Sequence, residues 1–258
     1  MTPFLSAELV ALLGAGFWQG AIVFLRVSAV TALLPGFGEQ YVSTRIKLAI
    51  ALAFTFIVAP ALPVFPQPDS LMHYAKFVVT ESVIGLALGV SIRFFVHVLQ
   101  TAGSMAAQAT SLSQVLGGIG SEPMPAIGAV LLISGLALAM MMGLHVRVAE
   151  FLIYSYQMFP AGEFPNGSGL SEWGVYRVSH AFSLAFTLAA PFLIASVLYN
   201  LTLGVINRAM PSLMVAFVGA PVITFGGLFI LMVASPMILK VWSDALMTFF
   251  ANPGGGMP

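Results

Sequence analysis

The chain has 258 residues, nine basic and nine acidic, with formal net charge zero, 7% charged residues and 59% hydrophobic ones. Its mean hydropathy is +1.01. Soluble domains carry roughly 25% charged residues, so a water-facing globule is excluded. No Lys/Arg cluster offers a footprint for nucleic acid, and with no cysteine a disulfide framework, thiol nucleophile or Cys-based metal site is excluded as well.

A helix that crosses a bilayer needs about 20 apolar residues, and a membrane β-barrel needs strict apolar/polar alternation. Runs such as Val130 to Met142 show no alternation, so the expectation is an all-α membrane protein with about six long, partly kinked hydrophobic helices. The first apolar segment runs from about Leu9 to Leu34 and contains Gly16-x-x-x-Gly20, a spacing that lets helices approach closely in lipid. Met1 to Leu25 holds no basic residue and so lacks the positive start of a cleaved signal peptide. The segment is expected to be retained.

Pro35-Gly36-Phe37-Gly38 breaks the chain before a second segment, about Ile46 to Val64, and four prolines between Pro60 and Pro68 break it again. The third segment, about Tyr74 to Leu99, carries Gly85-x-x-x-Gly89. Charges inside apolar segments are costly and face a bundle interior or cavity, so Arg26, Lys76, Glu81 and Arg93 each require a partner. Glu81 is the evident acid: a structural ion pair, for which Arg26 across helices is a candidate partner, is the expected role, and an ion or proton relay the alternative.

The pattern changes between Gln100 and Pro125, where Gln100, Ser104, Gln108, Thr110, Ser111, Ser113 and Gln114 precede Gly117-Gly118-Ile119-Gly120-Ser121-Glu122-Pro123. Three glycines in four residues permit positive φ and close backbone approach. Irregular backbone at membrane depth survives only inside protein or beside a water-filled cavity. Composition alone leaves two readings open, a buried or pore-facing loop and a loop at the membrane surface.

A fourth segment, about Ala126 to Tyr156, includes Met140-Met141-Met142 and ends before a Pro/Gly break from Pro160 to Gly169. The fifth and sixth, about Val178 to Ile206 and Leu213 to Val241, form a helical hairpin. Asn200, Gly204 and Asn207 share one helix face and call for a partner helix. Asn207-Arg208 closes the first arm, Pro211 opens the turn, and Gly219-Ala220-Pro221 is expected to interrupt the second. Asn252 to Pro258 reads as a frayed tail. Arg45, Lys47 and Arg208 fall in alternate connections from Asp69, Glu163 and Glu172, which places both termini outside.

His73, His97, His145 and His180 lack metal-ligand spacing, and no catalytic or phosphate-cradling motif occurs. No metal, cofactor or enzymatic activity is expected. A secondary transporter or ion channel would use Glu81 and the broken region after Gln100, but no convincing inverted repeat supports it.

Several elements in order resemble the FliR/SctT proteins of the type III secretion export apparatus, flagellar or injectisome. They are Arg26 with Pro35, Arg45-Ile46-Lys47-Leu48-Ala49, the Gln108 to Pro123 region, and Asn207-Arg208-Ala209-Met210-Pro211 leading to Phe217-Val218-Gly219-Ala220-Pro221. The resemblance implies a non-enzymatic, single-copy subunit of an export gate, assembled with FliP-like and FliQ-like subunits and near FlhB-like and FlhA-like ones. It would sit in the bacterial inner membrane at the basal body and pass unfolded secreted proteins. It further implies that residues 1–177 are FliP-like, that 178–251 are a FliQ-like hairpin, and that the loop plugs the closed pore. By motif the plug comprises Gln108, Ser111, Gln114, Gly117, Gly118, Ile119, Gly120, Glu122 and Pro123. Ala107-Gln108-Ala109-Thr110-Ser111 departs from the family's frequent Gln-Met-Gly-like run.

Overall fold

A computed structural model describes residues 7–39, 41–67, 70–110, 126–210 and 215–255. Helix α1 spans Ala7–Leu33 and α2 Thr44–Val58, the latter continued by a single 3-10 turn at Ala59–Ala61. Then come α3, Leu71–Thr110; α4, Ala126–Met141; α5, Leu144–Met158; α6, Gly167–Ala209; and α7, Val215–Ala251. No strand occurs among the described residues. Five helices are long and apolar enough to cross a membrane, or six if α4 and α5 count as one bent span. The chain is an all-α membrane protein.

Three expectations about the segments change. The third helix does not stop near Leu99 but continues to Thr110, because Ser104 and Thr110 do not break it: the Thr110 hydroxyl donates back to Ala106 O within the helix at 2.8 Å. The fourth segment is two helices bent by 73°, the break set by Gly143 at φ 81°, a conformation glycine adopts without steric cost. The sixth is not interrupted at Gly219-Ala220-Pro221. Both Pro221 and Pro236 lie inside α7, as Pro191 lies inside α6, and proline is tolerated in membrane helices where neighbouring groups re-satisfy the backbone.

The chain packs as two compact units. The first comprises Met1–Arg93, Gly143–Arg177 and Phe250–Pro258, and the second Phe94–Met142 and Val178–Phe249. The boundaries therefore fall within α3, α6 and α7 and between α4 and α5, and packing cuts across chain order.

In the first unit, Ile22, Val23, Val27 and Val30 of α1 bury with Ile84, Leu88 and Ile92 of α3 and with Val148, Phe151 and Leu152 of α5. The two small-residue spacings behave differently. A Cβ on Gly16 or Gly20 would meet nothing, whereas one on Gly85 would lie 2.6 Å from Arg26 O and one on Gly89 3.0 Å from Leu33 Cδ1. Only the second spacing is a helix crossing. Residues 252–255, expected to fray, form a turn instead. Trp173 Nε1 donates to Pro253 O at 3.2 Å, and Arg177 Nη2 to Pro253 O at 2.5 Å and Gly255 O at 2.9 Å.

In the second unit, Phe95, Val98, Leu99, Ala102 and Ala106 form the buried stripe of α3, spaced three and four residues apart as one helix face requires. Trp242 of α7 is buried and donates from Nε1 to Phe95 O at 2.8 Å. A Cβ on Gly103 of α3 would collide with the backbone of Gly128 of α4, so α3 has no room there for a side chain.

The crossing at Gly85 makes a first prediction. Gly85→Leu should lower stability by about 1–3 kcal/mol through overpacking, read as a lower midpoint of thermal unfolding in detergent, while Gly16→Leu leaves the midpoint within error. Equal midpoints for the two variants would show that the crossing does not carry the packing.

Candidate functional site

The most tightly built polar cluster lies in the first unit around Arg26, a fully buried guanidinium. Its position follows from the helix crossing. Gly85 brings the backbones of α1 and α3 together beside Arg26 O, and Glu81, one turn before Gly85, then faces the guanidinium. Arg26 Nε meets Glu81 Oε2 at 2.8 Å and Nη2 meets Oε1 at 3.2 Å, with both side chains at 0% exposure. Breaking such a pair from one side leaves a buried charge uncompensated.

Two further hydrogen bonds hold the guanidinium. Arg26 Nη1 donates to Ser155 Oγ at 3.1 Å and Nη2 to Phe159 O at 2.9 Å, while Ser155 Oγ passes its own proton to Leu152 O at 2.7 Å. The guanidinium carbon sits 3.6 Å over the Tyr156 ring, and Phe65 stacks on Tyr156 with centroids 5.6 Å apart. Glu81 Oε1 further accepts from the Gly162 N–H at 3.1 Å. Gly162 has φ 74°, and a Cβ there would lie 2.5 Å from the Phe77 ring. Only glycine can turn the chain there and keep its N–H on the carboxylate.

One ion pair thus joins α1, α3, α5 and the connection after α5. With both carboxylate oxygens engaged by Arg26, one of them by Gly162 as well, and none of the side chain exposed, the arrangement suits a structural clasp rather than a relay. Ser155, Tyr156, Phe159 and Gly162 carry no charge and stand more than 120 residues from Arg26, so spacing could not single them out. A glycine between Pro160 and Pro165 was the one available signal.

The other two charges in the third segment are placed elsewhere. Lys76 is exposed and makes no ion pair among the described residues. It precedes Glu81 by five residues, which at 100° per residue puts it on another face of α3. Arg93 pairs with Glu39, Nη1 to Oε1 at 3.1 Å and Nη2 to Oε2 at 3.3 Å, with side chains 23% and 18% exposed. That pair and Lys47, whose Nζ donates to Gly38 O at 2.9 Å, hold the turn after α1. Glu39 lies in a connection, where a charge needs no partner to be tolerated, so its sequence position carried no signal.

Gln108 is exposed near the end of α3. Ser111, Gln114, Gly117, Gly118, Ile119, Gly120, Glu122 and Pro123 lie outside the described residues, as does Pro211. Asn200, Asn207 and Arg208 are exposed on α6, and Asn200 Nδ2 donates to Ser196 Oγ of its own helix at 3.2 Å. Pro221 is exposed, and Gly219 is buried where a Cβ would collide with Tyr199 Oη, so the two arms of the hairpin touch there. Among the described residues no group of three or more His, Asp or Glu is placed to hold a metal ion.

The family model for bacterial export proteins, family 1, matches residues 17–249, a stretch that contains the whole Arg26 clasp and both arms of the hairpin. The chain belongs to this family. A flagellar biosynthetic protein FliR from Caulobacter vibrioides is 33% identical over 88% of the chain and 92% of its own length. The FliR proteins of Escherichia coli and Bacillus subtilis are 27% and 26% identical over 86% and 78% of the chain, covering 84% and 79% of their own lengths. The chain is thus a FliR-family member over most of its length.

The clasp predicts an asymmetry. Arg26→Ala, which strands Glu81, should cost about 3–5 kcal/mol, whereas the double change Arg26→Met with Glu81→Leu should recover most of it because it removes both charges. Thermal unfolding of the two variants in detergent decides the matter. If the double variant is no more stable than Arg26→Ala, the cost is not that of an unpaired charge.

Proposed function

We propose that this subunit of the flagellar export apparatus is a wall element of the export gate in the inner membrane. It assembles in single copy with FliP-like and FliQ-like subunits, beside FlhB-like and FlhA-like ones, around a conduit for unfolded flagellar proteins. In this reading residues 1–177 are the FliP-like part, residues 178–251 the FliQ-like hairpin, and the loop within Gln108 to Pro123 obstructs the conduit until export begins. The chain is a structural and gating component rather than an enzyme.

The observation that carries the reading is the length of uncovered apolar surface. Between Val178 and Ile206, α6 exposes Phe182, Phe186, Ile194, Val197, Leu198, Leu201 and Val205. At 1.5 Å per residue this stripe is about 42 Å long, against about 30 Å of hydrocarbon in a bilayer. Lipid covers a stripe of that length only at a steep tilt, so part of it belongs against protein. α7 adds Val222, Phe225, Phe229, Met232 and Met237, each more than half exposed. Contiguous apolar patches of this kind mark interaction surfaces, and the names of the FliR relatives supply the system. Asn200, Asn207 and Arg208, exposed on the same helix, give that surface polar points of register, as a hydrogen-bonding residue does between membrane helices. The loop needs two arrangements of similar free energy to gate, and its glycines allow them.

Two outcomes test the proposal. In cells that co-express FliP-like and FliQ-like partners, deleting Ser111 to Gly120 should leave the assembly intact and make the membrane leak ions, and unchanged conductance would remove the plug role. Arg substitutions at Phe186 and Leu198 should abolish co-purification of the partners without loss of the chain from the membrane. Retained partners would reject the hairpin as the contact.

A further inference from the structure

Arg26 and Glu81 are shut off from water, and part of what covers them is not a long helix. Gln19 lies two turns before Arg26 on the same face of α1 and is buried as well. A buried amide places its hydrogens on acceptors. Gln19 Nε2 divides them, donating to Ala59 O at 2.7 Å and to Leu62 O at 3.2 Å. The residue before it, Trp18, donates from Nε1 to Pro66 O at 3.3 Å. Two adjacent side chains of α1 thus hold three carbonyls of residues 59–66.

The composition of that stretch explains why carbonyls are the handles. Pro60, Pro63 and Pro66 have no N–H to donate, and beyond the single 3-10 turn the stretch has no regular structure to fix its path. What it delivers is Phe65, half-buried between the exposed Val64 and Pro66. Phe65 stacks on Tyr156 with the rings 27° apart, and Tyr156 is the ring on which the Arg26 guanidinium rests at 3.6 Å. The same anchors support the carboxylate side. Trp18 meets Phe77 edge-on with centroids 5.8 Å apart, and Phe77 is the ring that a Cβ on Gly162 would strike.

We infer that residues 59–66 form a strap that seals the Arg26–Glu81 pair from water, with Phe65 as the cover and Gln19 and Trp18 as positioning residues that hold it shut. The strap can lift without unwinding α1, α3 or α5, so water reaches the pair by a local opening. Once wetted, the two charges attract each other far less. The first unit therefore has a loosened state that keeps its helices. The strap is a property of the first unit alone and is independent of the export reading.

The Gly162 amide reports on the seal, because its N–H is bonded to the buried carboxylate. Hydrogen exchange resolved to that amide, measured on the detergent-solubilised assembly with its partners, should be about tenfold faster in Gln19→Leu, which removes both donors. That ratio corresponds to about 1.4 kcal/mol, the order of two lost hydrogen bonds. Phe65→Ala, which removes the cover and leaves the anchors, should also speed it severalfold. Ile92→Val, a cavity three turns along α3 from Glu81, lowers stability away from the strap and should leave the Gly162 rate at the parent value.

An unchanged Gly162 rate in Gln19→Leu or in Phe65→Ala would overturn the inference, and so would a rate in Ile92→Val as fast as theirs, since exchange would then follow stability at large and not the strap. If Gln19→Leu does not accumulate, Trp18→Phe takes its place. It keeps an aromatic ring against Tyr74 and Phe77 but loses the N–H on Pro66 O, and an acceleration of about threefold is expected; no acceleration there rejects the anchors.

Discussion

A guanidinium with no access to water has to find its counter-charge and its hydrogen bonds inside the protein, and Arg26 imposes that requirement on the whole first unit. Its N–H donors lie in one plane, and the acceptors they meet come from two stretches distant in sequence, Glu81 on one side and Ser155 with Phe159 on the other. Meeting them fixes where α3 crosses α1, where α5 ends, and how the chain turns at Gly162. The apolar packing of Ile22, Val27, Leu88 and Val148 fills the space around the clasp but would tolerate small shifts. The fork of the guanidinium would not.

Glycine does two different jobs in this chain. At Gly143 and Gly162 it supplies a positive φ, bending one span by 73° and aiming an N–H at a carboxylate. At Gly85, Gly103 and Gly227 it supplies missing volume, letting helix backbones or a threonine side chain approach closely. Where neither job exists, as at Gly16 and Gly20, the residue faces open space. A glycine-x-x-x-glycine spacing therefore marks an opportunity for helix contact, and only the partner's position decides whether it is used.

The long helices connect this packing to export. α3, α6 and α7 each exceed the length that a bilayer core needs, and α6 and α7 leave most of their apolar side chains uncovered. A chain organised to be complete in lipid would match its helices to the membrane and turn its few polar groups inward. This one instead stabilises its first unit around a buried charge and presents an apolar hairpin with Asn200, Asn207 and Arg208 on its surface, the feature from which its place in a wall is proposed.

The fold class was legible in the sequence because it depends on quantities summed along the chain. Low charge and long apolar runs leave only helices in a membrane, and Arg26 and Glu81, each too costly to leave alone, announced a pairing. Arg93 equally required a partner, but which one was not legible: the distance between Arg93 and Glu39 depends on the turn after α1, not on sequence spacing. Lys76 fell out of the buried set because helical phase turned it outward. Ser155, Phe159 and Gly162 joined the clasp through a hydroxyl, a carbonyl and an N–H, groups that many side chains or nearly every residue possess. The continuation of α3 to Thr110 and of α7 through Pro221 overrode local helix-breaking signals, since packing of an apolar face outweighs propensity at one or two positions. Composition and periodicity are local and determined the elements; the pairings between residues far apart in the chain were decided by tertiary structure alone, because only there do distances between them exist.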